Sequence, residues 1–228
     1  MSEPDGRPRV PWRGRDALVV VVITVVLVFV AALFLPGISL PVLLLIQTGV
    51  FGGVTLLWAH RHRSVGALLG RRFRVAPGPV LGALGAAGIS LVLQIVFAVA
   101  VVSLAGGEVP EGGGSLPPSL FRQAPMVIVV AAVILAPLSE ELFFRGLLLQ
   151  GLWRSFGRWP ALAVSSSLFG LAHVGVTLFG SVLSVGTAIV VGVVLGWAFI
   201  RSENLVVPVF AHGTINAVAL LLQAAVAA

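Results

Sequence analysis

Long apolar runs, broken by short segments that carry arginine, make up most of this chain. Runs of spanning length fall at about residues 17–35, 38–59, 79–105, 124–150, 160–179, 181–200 and 204–226. An α-helix needs roughly 20 apolar residues to cross a hydrocarbon core of about 30 Å. Backbone groups in lipid have no water to bond, so runs of this kind close their hydrogen bonds internally as helices. The pattern predicts an all-α fold, a polytopic transmembrane helical bundle of about seven spans. The first run is too long for the apolar region of a signal peptide. It also lacks a small-x-small cleavage site before Pro36, so it reads as a retained helix.

Polar segments divide the bundle. Residues 1–16, with Pro4, Pro8 and Pro11, read as a disordered cytoplasmic tail. Residues 17–105 form an N-terminal three-helix membrane part, and 106–123 an external loop rich in glycine and proline. Residues 124–226 form a four-helix C-terminal membrane part. Inside the first part the main polar helix residues are Gln47, Thr48, Ser90 and Gln94, and none is ionisable. Small residues at four-residue spacing, Ala188, Gly192 and Gly196 in one run and Gly49 and Gly53 in another, predict tight helix contacts. No internal repeat is evident, which gives an inverted-repeat transporter no support.

Composition sharpens this picture. The chain has 228 residues, of which 10% are charged, against about 25% in a soluble domain. Cysteine is absent, which excludes disulfides, thiolate metal sites and cysteine nucleophiles. All 14 basic residues are arginine, and all but Arg145 are dispersed in the N-terminal tail and short loops. That dispersal argues for topology signals and contact with the lipid bilayer, with no nucleic acid partner. With the N-terminus inside, twelve arginines fall on the inner side and Arg122 alone on the outer. The expected localisation is therefore the cell membrane, multi-pass, with a cytoplasmic N-terminus. Trp12, Trp58 and Trp159 fall near span ends, as interface anchors do.

Against this background two adjacent carboxylates stand out. Glu140 and Glu141 lie inside an apolar span, where a charge costs roughly 2.5–3.5 kcal/mol even on the lenient insertion scale. Glu141 and Arg145 are four residues apart on one helix face and can pair. Glu140 stands about 140° from Arg145 at 100° per residue, and so remains available. His173 follows Phe169 by four residues, and Asn216 follows His212 by four. Each has a plain structural alternative. The acids and Arg145 could only hold helices together, His173 could be a packing residue, and Asn216 could be a helix–helix hydrogen bonder. Ser165, Ser166 and Ser167 have no base at a suitable spacing and are assigned to packing. At about 1.5 Å of rise per residue, Glu140, His173 and His212 reach about 15, 20 and 12 Å from the inner ends of their spans. Three helices thus carry ionisable groups to one depth.

Glu140-Glu141-x-x-x-Arg145, Phe169-x-x-x-His173 and His212-x-x-x-Asn216, in this order over about 124–220, resemble the signature of the CPBP family. These are the type II CAAX prenyl endopeptidases and the related Abi-type bacteriocin-processing or immunity proteins. Residues 1–120 resemble the family only as generic membrane helices. The resemblance implies an intramembrane endopeptidase acting on a membrane-associated protein or peptide. In that scheme Glu140 activates water and His173 holds and polarises it. His212 and Asn216 donate to the oxyanion, and Glu141 and Arg145 support Glu140. A zinc site built from Glu140, His173 and His212 is the competing chemistry. The absence of a His-Glu-x-x-His helix favours the metal-free reading, with no cofactor. A non-enzymatic immunity or scaffold protein is the alternative from another class, and a proton-coupled transporter with Glu140 as relay is a third.

Overall fold

Helix breaks in this chain follow local chemistry. Ala76 is extended (φ −156°, ψ 163°) and Pro77 opens the next helix, a position where its missing N–H is harmless. Gly157, at φ 87°, separates two later helices. Asn204 starts the last one by accepting the Val206 N–H through Oδ1 at 3.0 Å.

A computed structural model describes residues 7–34, 40–107, 125–174 and 178–227. Among them the chain forms α1 (Gly14–Phe34), α2 (Leu40–Arg61), the one-turn α3 (Val65–Leu68) and α4 (Pro77–Leu104). The long α5 is a continuous run of helix from Pro125 to Phe156, followed by α6 (Arg158–Leu171), α7 (Leu178–Ser202) and α8 (Val206–Ala227). No strand occurs among the described residues. The protein is a helical membrane bundle.

Six of these helices are long and apolar enough to cross a membrane: α1, α2, α4, α5, α7 and α8. The run expected to span at 160–179 does not give a helix of that length. α6 has 14 residues, about 21 Å at 1.5 Å each, against a core of about 30 Å. Apolar composition continues past Leu171, but the helix does not. The His173 N–H bonds the Gly170 carbonyl at 2.9 Å, which frees the Phe169 carbonyl. The His173 ring then caps that carbonyl through Nδ1 at 2.8 Å. His173 therefore sits in the turn after α6 and not on a helix.

α6 lies against α7 through the small-residue face expected there. A Cβ on Gly192 would stand 3.1 Å from Ser166 Cα, and one on Gly196 would stand 2.5 Å from Leu162 Cδ1. The expected face on α2 is different. Gly49 and Gly53 have nothing within 4 Å, and it is Gly52 that faces α5, 3.4 Å from Ser139 Cβ.

The arginine-bearing segments gather at one end of the bundle. Arg71 forms two hydrogen bonds to the Glu203 carboxylate, at 2.5 and 2.7 Å. Gln150 donates to the Ala67 carbonyl at 2.8 Å, and Asn204 to the Arg74 carbonyl at 2.8 Å. Residues 7–13 join this end and are not the disordered tail their prolines imply. Arg7 donates to the Arg154 carbonyl, and Arg154 to the Val10 carbonyl. Trp12 is fully buried and its indole donates to the Leu147 carbonyl at 3.0 Å. It is an internal anchor, whereas Trp159 is exposed and suits the interface.

Candidate active site

α5 carries both acids, and its backbone is irregular on either side of them. Ala131–Leu135 and Leu142–Leu149 are π-helical, and Ala136–Glu141 between them is α-helical. Single π turns inside α-helices occur often at functional sites. Pro137 gives the first one a consequence. The Ala136 N–H bonds the Ala131 carbonyl, one residue further back than in an α-helix, and so leaves the Ala132 carbonyl. The next donor along would be residue 137, but proline has none. Asn216 on α8 supplies it, donating from Nδ2 to the Ala132 carbonyl at 2.8 Å. An unpaired carbonyl in hydrocarbon would cost several kcal/mol, so this bond ties α8 to α5.

One turn away on α8 the same two helices meet again. His212 Nδ1 stands 3.0 Å from Glu141 Oε1, and Arg145 Nη1 bonds the same oxygen at 2.9 Å. Arg145 Nη2 also donates to the Gly192 carbonyl on α7 at 3.1 Å. Glu141 is fully buried, and Arg145 and His212 nearly so. The i,i+4 pairing expected from sequence is present, with His212 added to it. Gly213 permits the approach: a Cβ there would lie 2.7 Å from the Val133 carbonyl oxygen.

Glu140, the neighbouring acid, is differently placed. It is half-buried and makes none of the ion pairs formed by Arg145. Its Oε2 is buried and has no hydrogen-bond partner among the described residues. Glu141 Oε2, Arg145 Nε and Ser166 Oγ are likewise buried without partners. Buried polar atoms in native structures are nearly always bonded to protein or water, so each of these calls for polar company.

Phe169 connects the two histidines. Its ring centroid lies 4.8 Å from that of His173 and 5.6 Å from that of His212. The Arg145 guanidinium carbon stands 4.5 Å from the same ring, a cation–π distance. Sequence reasoning used Phe169 only as a spacing mark, and an apolar residue in an apolar helix gave no other signal. The link from His212 to Glu141 was also missed, since no local spacing reports a contact across 71 residues. Ser165 donates to the Phe144 carbonyl at 3.1 Å, a packing role as expected.

The tautomers follow from the acceptors. His173 Nδ1 faces a carbonyl and His212 Nδ1 a carboxylate, so both must donate there. In the neutral rings Nε2 is then the acceptor on each. As to a metal, no group of three His, Cys, Asp or Glu side chains among the described residues is placed to hold one. Glu140, His173 and His212 as they stand do not make a ligand triad.

Residues 122–218 match the Rce1-like family, described as type II CAAX prenyl endopeptidase Rce1-like. This part of the chain is similar to that family. The matched region contains α5, α6, α7 and much of α8, with Glu140, Glu141, Arg145, Phe169, His173, His212 and Asn216. Two curated proteins are similar over parts of their length. An Escherichia coli protein named "Uncharacterized 24.3 kDa protein" is 32% identical over 146 residues, which is 60% of this chain and 65% of that protein. A Bacillus subtilis (strain 168) protein named "Putative membrane peptidase YdiL" is 26% identical over 104 residues, 46% of this chain and 40% of that one. The chain thus spans less than two thirds of either relative. No solved structure matches it significantly.

Proposed function

We propose that the chain is an intramembrane endopeptidase that hydrolyses a peptide bond of a membrane-associated protein or peptide. The observation that carries this reading is the contrast between the two acids. Glu141 is committed to Arg145 and His212, while Glu140 keeps a buried carboxylate oxygen with no partner among the described residues. A carboxylate in that position is ready to accept a proton from water.

Glu140 takes a proton from water, and the resulting hydroxide attacks the scissile carbonyl carbon. His173, with Nδ1 held by the Phe169 carbonyl, offers Nε2 as an acceptor that positions the same water. Asn216 spends one amide hydrogen on Ala132 and has a second for the developing oxyanion. Donation from His212 needs a proton on Nε2 as well as Nδ1. On collapse of the tetrahedral intermediate the C–N bond breaks. The proton held by Glu140 passes to the leaving amine, directly or through His173 Nε2.

The test is cleavage of quenched membrane-anchored peptides by the purified chain in proteoliposomes. Wild type should cleave, and Glu140→Gln, nearly isosteric, should lower the rate by about 10²–10⁴-fold. Chelator should leave the wild-type rate unchanged. Full cleavage by Glu140→Gln would remove the proposed base. Loss on chelation with recovery on adding zinc would transfer the chemistry to a metal.

A further inference from the structure

A second feature lies at the arginine end, away from Glu140 and the histidines. A groove of about 870 Å³ opens there, bounded by α4, α7 and the first turn of α8. Arg72, Arg74 and Arg201 line its mouth. All three are exposed, and none makes an ion pair among the described residues, unlike Arg71, which is held by Glu203. Three exposed arginines brought together, with the nearby Glu203 carboxylate paired to Arg71 and no ion pair to any of the three among the described residues, make a concentrated site for an anion.

Below the mouth the walls turn apolar. Gly78, Gly82, Gly85 and Ile89 of α4 line the groove with Trp197 of α7. Small residues on membrane helices normally mark contact with another helix. These three glycines have nothing within 4 Å of where a Cβ would stand, so no helix among the described residues fills the space their small size leaves. From Gly78 to Ile89 the groove follows α4 for about 16 Å at 1.5 Å per residue. That is about half of a 30 Å hydrocarbon core, the depth of one leaflet. Anion-binding groups at the surface above an apolar channel one leaflet deep fit one kind of molecule.

We propose that this groove is a binding site for an anionic phospholipid, its phosphate among Arg72, Arg74 and Arg201 and one acyl chain along the glycine face of α4. Charge sets the headgroup and groove length sets the chain, so a free phosphate or a zwitterionic lipid satisfies only part of the site. The proposal does not depend on the hydrolase reading, because no residue of the groove belongs to the candidate active site.

The test uses the purified full chain in neutral detergent. Thermal midpoint and native mass are read with phosphatidylglycerol, phosphatidylcholine, inorganic phosphate or an acidic peptide added. Phosphatidylglycerol should raise the midpoint and stay bound at one per chain, and the other three should not. The triple variant Arg72→Gln, Arg74→Gln, Arg201→Gln should bind phosphatidylglycerol on the order of a hundredfold more weakly. Gly82→Leu, which fills the channel and has room to do so, should abolish retention while leaving the lipid-free midpoint intact. It keeps the test decisive if the arginine variant fails to fold. Equal retention of both lipids, or unchanged retention by Gly82→Leu, would overturn the proposal. So would a full response to inorganic phosphate, which would indicate a free anion, or to the acidic peptide alone, which would indicate a peptide groove.

Discussion

Arg145 shows how one residue can be indispensable without touching a substrate. Its guanidinium bonds Glu141 and the Gly192 carbonyl and lies over the Phe169 ring, so it joins α5, α6 and α7 at the level of the acids. Removing one partner of a buried pair typically costs about 3–5 kcal/mol, because the other charge is left uncompensated. Arg145→Met should therefore lower stability by about that amount in mixed-micelle unfolding. The double variant Glu141→Leu, Arg145→Met removes both charges and should be more stable than Arg145→Met alone. A double variant as unstable as the sum of the singles would show that the pair contributes through packing and not charge. This pair was legible in the sequence, since four residues on a helix bring two side chains to one face whatever surrounds them. His212 as the third member was not, because contact across helices depends on how two backbones approach.

That approach is decided on α8 and α5 by one glycine and one proline. Pro137 and the π turn before it leave the Ala132 carbonyl for Asn216, and Gly213 lets α8 come close enough to reach it. In Gly213→Ala the new methyl would meet the Val133 carbonyl oxygen at 2.7 Å, a backbone atom that cannot swing aside. The helices must separate, which stretches both the Asn216 bond and the 3.0 Å contact of His212 with Glu141. Overpacking of this kind costs about 1–3 kcal/mol, and cleavage should fall with it. Gly53→Ala is the matched control. It has nothing within 4 Å, and the alanine should stabilise by up to about 1 kcal/mol through helix propensity. Unfolding and cleavage measured on both variants check the pair, and equal effects would dismiss the close-approach argument. From sequence alone Gly53 had the regular spacing of a contact face and Gly213 had none. Spacing shows that a face is smooth and not what lies against it. The end of α6 was hidden for a related reason: hydropathy continues through residues 172–174, and only the backbone hydrogen bonds of His173 show where the helix stops.

At the scale of the whole molecule, the count of spans and the sidedness of the chain separate. Whether α6 crosses fully or turns back short of the far surface, α7 returns to the end where α6 began. Arg154 and Arg158 therefore stay on the same side as Arg201. The structure ties that side together independently of any charge rule: Arg71 bonds Glu203, Gln150 bonds Ala67, and Arg7 bonds Arg154. Segments read separately as inner by their arginines are physically one end of the bundle, and the positive-inside tendency predicts that this end faces the cytoplasm. The absence of cysteine makes the orientation directly measurable, since any introduced thiol is the only one. Ser64→Cys lies just after α2 at the arginine end, and Ser103→Cys lies exposed near the opposite end of α4. An impermeant maleimide added to intact cells should label Ser103→Cys, and should reach Ser64→Cys only after the membrane is opened. The reverse pattern would invert the protein, placing the three free arginines of the groove on the outer leaflet and contradicting a cytoplasmic N-terminus.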